Sequence, residues 1–130
     1  MATSWTLGCD ATDPHQLAAF WAQALGYVTE PGYDEPDGAS IIDPDGKGPA
    51  IGFLRVPEGK AAKNRMHIDI HPPLDLGVPG LVARLEQLGG TRVGEPVTEL
   101  LEEIGVWWQL MRDPEGNELD VVADPGHPAP

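Results

Sequence analysis

The acidic turn Asp43-Pro44-Asp45-Gly46 returns later in the chain as Asp113-Pro114-Glu115-Gly116, and Leu25-Gly26, which closes one helical pattern, returns as Leu88-Gly89. A chain that repeats its own plan is expected to fold as like modules packed into one pseudo-symmetric unit. With 130 residues there is enough chain for one core burying roughly two thirds of the unfolded surface, and not for two independent domains. A single domain over residues 1–130 is the expectation.

Hydrophobic periodicity fills in the modules. Residues 5–10 alternate Trp5, Leu7, Cys9 with Thr6, Gly8, Asp10, as a half-buried strand does. Asp13-Pro14 supplies a helix N-cap followed by proline at the first helical position, and Leu17, Phe20, Trp21, Ala24 and Leu25 form one stripe ending at Gly26. Strands follow at residues 27–30, 39–42 and 51–56, the last two joined by the acidic turn, so module one (1–56) reads βαβββ. Residues 57–64 read as a polar linker. Module two (65–123) repeats the order with a strand at 66–70, a helix at 78–88 stopped by Gly89-Gly90, and strands at 91–93, 106–111 and 118–122. The Pro-rich residues 124–130 read as a loose tail. Leu7, Phe20, Trp21, Ile68, Leu85 and Val121 are the expected core, with Trp5 beside them.

Composition narrows the partners. Eight basic against 21 acidic residues leave a formal charge of −13, which repels phosphate backbones and anionic lipid, so neither nucleic acid nor membrane is an expected partner. The lone Cys9 has no intramolecular disulfide partner, no apolar run reaches the roughly 20 residues that span a bilayer, and the first 20 residues lack a secretory pattern. A cytoplasmic protein is expected. No nucleophile elbow, phosphate-binding glycine loop or Cys-x-x-Cys pair occurs.

Three segments carry a family likeness: residues 13–21 (Asp-Pro-His-Gln-Leu-Ala-Ala-Phe-Trp) leading to Leu25-Gly26-Tyr27, residues 63–69 (Lys-Asn-Arg-Met-His-Ile-Asp), and residues 113–118 (Asp-Pro-Glu-Gly-Asn-Glu). Together they resemble the vicinal oxygen chelate superfamily of glyoxalases, bleomycin-resistance proteins and extradiol dioxygenases, most of all its glyoxalase-like subgroup. The resemblance spans nearly the whole chain. It implies an α+β fold of paired βαβββ modules forming a curved mixed sheet around a cavity, often in a homodimer. The superfamily's metal enzymes draw four ligands from the first and last strands of each module, and the resemblance places these positions at Thr6, at Phe53 or Leu54, at His67 and at Asp120. A threonine hydroxyl is a poor ligand for a transition metal and the side chains of Phe53 and Leu54 cannot coordinate. With two ligands of four, no bound metal cofactor is expected; any metal would rest on His67 and Asp120.

The residues themselves point to a polar face. His67, Asp69 and His71 share parity on one strand, and Glu118 and Asp120 share it on another, opposite the apolar positions. His67, Asp69, His71 and Asp120 form a candidate noncanonical metal set, since imidazole and carboxylate suit Zn, Mn or Fe. Hydrogen bonding of His67 to a neighbouring carboxylate is the plainer alternative, and His67 as general base in metal-free catalysis is a third. Trp107-Trp108 put one indole on each face of their strand, either Trp107 with Gln109 and Met111 toward the cavity or Trp108 with Leu110, and the inward one would stack on a planar ligand. Arg55 shares parity with Phe53 and, if both point inward, favours an anion. The expected ligand-binding residues are thus Thr6, Phe53, Arg55, His67, Asp69, Trp107, Trp108 and Asp120.

From this the chain is expected to bind a small organic molecule, aromatic among the candidates, without metal. Self-resistance by antibiotic sequestration is one concrete version that the resemblance implies. The alternatives are a metal-dependent lyase, isomerase or dioxygenase using His67 and Asp120, and a metal-free acid–base enzyme using His67.

Overall fold

The computed structural model describes residues 1–130 and divides into two compact units, Met1–Lys60 and Ala61–Pro130. The first contains β1 (Leu7–Ala11), α1 (Pro14–Leu25), β2 (Val28–Thr29), β3 (Gly38–Ile42) and β4 (Ile51–Arg55). The second contains β5 (Ile68–Ile70), α2 (Gly77–Gln87), β6 (Thr91–Arg92), α3 (Leu101–Ile104), β7 (Trp107–Arg112) and β8 (Glu118–Ala123). Each unit has its own four-stranded mixed sheet, ordered β1-β4-β3-β2 and β5-β8-β7-β6. In both, the first strand pairs parallel with the last and the remaining pairs are antiparallel. The expected α+β fold of paired βαβββ modules is therefore present, each module contributing a four-stranded mixed sheet.

Local chemistry explains the element ends. The Asp13 carboxylate accepts the Gln16 amide at 3.1 Å, Pro14 opens α1, and Gly26 at φ 70 closes it in the left-handed conformation that a side chain disfavours. The repeated acidic turns work alike. Asp43 accepts the amides of Asp45, Lys47 and Gly48, and Asp113 accepts those of Glu115 and Asn117 together with the Asn117 side-chain amide. Those backbone donors, Asp45 foremost, hold the Asp43 carboxyl below its ordinary range.

Helices α1 and α2 each lie on one face of their own sheet. Leu17, Phe20 and Trp21 of α1 are buried with Ile41, Ile51 and Phe53 of the first sheet, and the Phe20 and Trp21 rings meet edge to face at 5.6 Å. Val78, Leu81, Val82 and Leu85 of α2 are buried with Met111, Leu119 and Val121. The other face of each sheet carries the alternate residues. Leu7 and Ile68 are only half-buried, because β1 and β5 are edge strands with a neighbour on one side only. Trp5 is 64% exposed and precedes β1, so its place in the expected core is corrected. Residues 124–130 are not wholly loose either: the Trp107 indole donates to the Pro128 carbonyl at 2.9 Å. α3 is a single turn that the sequence pattern does not announce.

Candidate functional site

Register decides which expected site residues face away from the helices. In the second sheet Asp69 pairs with Asp120, Leu110 with Asp120, and Trp108 with Val122, so these side chains share the face opposite α2. Gln109 pairs with Val121 and Met111 with Leu119, which puts Trp107, Gln109 and Met111 on the helix face. Trp107 is 3% exposed and is corrected from a ligand-binding residue to a core residue. Trp108, with Leu110 beside it, is the indole on the open face.

The same logic corrects the first unit. Phe53 pairs with Cys9 and Ala39 on the face that α1 covers and is 2% exposed, whereas Leu54 lies on the other face and is 59% exposed. Phe53 is thus packing, not lining. Arg55 keeps Phe53's parity at the strand end and pairs with Asp37 at 3.1 Å in an exposed ion pair, so it offers no inward anion anchor. Thr6 is exposed just before β1, on the parity of Gly8 and Asp10. A separate open depression of about 350 Å³ lies between the β2–β3 loop and the start of α1, with His15, Glu30, Tyr33 and Asp34 on its walls. None of the expected site residues lines it.

The second unit brings His67, Asp69 and Asp120 together. The His67 Nδ1 lies 2.7 Å from Asp69 Oδ1 and 3.6 Å from Asp120 Oδ2, and one donor atom from each residue falls within 4.8 Å of the other two. Burial raises the Asp120 carboxyl above its ordinary value, the hydrogen bond and negative charge of Asp69 push the same way, and His67 and Lys63 oppose. His71 does not join them: its Nδ1 sits 2.9 Å from Asp124 Oδ1, drawn toward the tail.

Sequence parity noted Glu118 but not its role. Its buried carboxylate accepts the Asn64 amide at 2.8 Å, pinning the segment three residues before His67 to the same sheet. No short-range pattern reveals a partner 54 residues away.

The superfamily's four-ligand metal arrangement does not fit these residues. Thr6 offers only a hydroxyl, and the strand position exposed on the open face is Leu54, which coordinates nothing. Donors remain only in the second unit, where Asp69 adds a third to His67 and Asp120.

A mixed α+β chain with two βαβββ units and a polar, partly aromatic sheet face belongs to the glyoxalase/bleomycin-resistance class of folds. The profile of the glyoxalase-like domain matches residues 6–122, and the chain belongs to that family, within the vicinal oxygen chelate superfamily. Similar solved structures include a glyoxalase/bleomycin resistance protein/dioxygenase family enzyme from Burkholderia phytofirmans PsJN, with a TM-score of 0.72 and 16% identity over 91% of this chain and 95% of that one. A hypothetical protein from S. aureus matches with a TM-score of 0.70 and 17% identity over 95% and 94% of the two chains. The oxidase ChaP-H2 matches with a TM-score of 0.68 and 19% identity over 98% of both chains. At these identities the likeness establishes fold alone. No curated protein matches the sequence. No helix is long and apolar enough to cross a membrane.

Proposed function

We propose that this protein binds a small, planar organic molecule on the open face of its second sheet. The observation that carries the reading is the placement of Trp108 and Leu110 on the same sheet face as the His67–Asp69–Asp120 group. An apolar surface beside a few convergent polar groups is the usual makeup of a small-molecule site. Trp108 supplies a ring for stacking, Leu110 an aliphatic contact, and the two carboxyl groups accept hydrogen bonds from the ligand. Their charge, with no arginine among them, favours a cationic or donor-rich ligand over an anion. Sequestration of an antibiotic by a homodimeric cytoplasmic protein is the specific version that the family resemblance suggests.

A second reading has its own support. Because Asp69 engages Nδ1 of His67, the ring is oriented with Nε2 free to take a proton from a bound substrate, the arrangement of a general base. In that case the protein is a metal-free acid–base enzyme on the same surface.

Tryptophan fluorescence and calorimetry against a panel of cationic, neutral and anionic aromatics test both. Trp108→Ala is expected to weaken binding about tenfold, for an aromatic contact worth up to about 1.5 kcal/mol. Asp120→Asn is expected to weaken a cation more at low than at high salt, as screening removes the charge contribution. Affinity unaffected by Trp108→Ala would place the ligand elsewhere. Turnover of a panel compound, lost in His67→Ala, would replace binding by catalysis.

A further inference from the structure

We propose that the depression beside α1, wholly within the first unit, binds a small organic ammonium: an amine whose charged head faces the carboxylates of Glu30 and Asp34 and whose apolar body lies against Pro31 and Tyr33. Its volume of about 350 Å³ falls at the small end of the range that holds organic ligands, ~300–1,000 Å³. Most of the lining surface is apolar, the acidic side chains on the wall are Glu30 and Asp34, and no lysine or arginine is among the lining residues. That combination selects among ligands. An anion meets two negative groups, and a wholly apolar molecule desolvates carboxylates without replacing their hydrogen bonds. A bare inorganic cation leaves the apolar wall in water. An ammonium on an apolar body satisfies both parts, and beside Tyr33 it gains the attraction of the ring's π face as well.

The walls are held before any ligand arrives. Gly32 at φ 81 turns the loop, the Tyr33 amide donates to the Glu30 carbonyl at 3.2 Å, and the Glu30 amide donates to the Ser40 carbonyl at 2.9 Å, which ties the start of the loop to β3. The far side of the loop is tied to α1: His15 Nε2 lies 2.6 Å from the Glu35 carbonyl, and because a carbonyl only accepts, Nε2 is the donor. Gly38 fixes the aromatic wall. A Cβ on Gly38 would stand 2.8 Å from the Tyr33 hydroxyl oxygen, so the absence of a side chain there is what lets the tyrosine lie across the start of β3. A wall ordered in advance lowers the cost of binding. None of these residues belongs to the second sheet, so this site stands or falls independently of the ligand face at Trp108.

Amide NMR titration of the full-length chain with phenethylammonium, beside phenethyl alcohol and hydrocinnamate at matched ionic strength, tests the proposal. Saturable shifts are expected for the ammonium, centred on residues 29–34, with a dissociation constant of about 1 mM for a ligand this small. The alcohol should bind about fivefold more weakly, the scale of a solvent-open charge pair, and the anion should not saturate. The double variant Glu30→Gln, Asp34→Asn should bring the ammonium down to the affinity of the alcohol. Gly38→Ala tests the shape: its Cβ meets the mobile end of Tyr33, so the ring is displaced at little cost to the fold, and ammonium and alcohol should both weaken. Glu103→Gln, at an exposed position on α3, should change nothing. Absence of saturable shifts would overturn the site, as would equal affinity for ammonium and alcohol or unchanged affinity in the double variant. Shifts spread over the acidic surface and reproduced by ammonium chloride would reduce it to counterion attraction. Movement of the Trp108 indole signal in place of residues 29–34 would assign the amine to the second sheet instead.

Discussion

Glu118 shows how a single side chain sets the candidate site without belonging to it. Its carboxylate is 4% exposed and accepts the amide of Asn64, three residues ahead of His67. Removing the acceptor strands a donor at a partly buried position, which costs about 1–3 kcal/mol, while an amide side chain of the same shape keeps an oxygen to accept with. Glu118→Ala should therefore lower the denaturant midpoint and weaken ligand binding on the sheet face, and Glu118→Gln should recover a good part of both. Urea titration followed by Trp fluorescence checks the first, calorimetry the second. If Glu118→Ala and Glu118→Gln behave identically, the Asn64 bond does not position His67.

At the scale of elements, most of what the sequence predicts concerns local order, and what escapes it concerns which neighbour lies where. α1 is legible because its start and stop are written in Asp13, Pro14 and Gly26, and each acts through bonds within a few residues. The His67–Asp69 parity on one strand is legible for the same reason. Alternation alone divides Trp107 from Trp108, and Phe53 from Leu54, but it cannot say which face a helix covers; that follows from pairing Gln109 with Val121 and Phe53 with Cys9. The pairs His71–Asp124 and Asn64–Glu118 join residues more than 50 positions apart, beyond any periodic signal. Edge position is likewise invisible in a strand's own residues, and it governs energetics. Leu85→Ala, at a fully buried site on α2, should cost about 2–5 kcal/mol, and Leu7→Ala on edge strand β1 distinctly less. Equal losses in chemical denaturation would mean that Leu7 is covered in solution by something beyond its own unit.

At the scale of the whole molecule the governing quantity is charge. A formal charge of −13 on 130 residues makes the folded chain repel itself, and compaction brings those charges closer than they lie in the unfolded chain. Few basic residues oppose this, and two ion pairs that do, Arg55–Asp37 and Arg92–Glu86, are exposed, where solvent screening leaves such pairs little weight. Screening should therefore stabilise the fold. Raising ionic strength from about 0.01 M to about 0.15 M shortens the Debye length from about 30 Å to about 8 Å, enough to quench repulsion between surface carboxylates on the same unit. The melting temperature should rise across that range with sodium chloride and approach a plateau. Scanning calorimetry in low-salt buffer, with a neutral osmolyte as control for general exclusion effects, checks the sign. A melting temperature that falls with sodium chloride would mean that favourable pairs such as Arg55–Asp37 and Arg92–Glu86 outweigh the net repulsion.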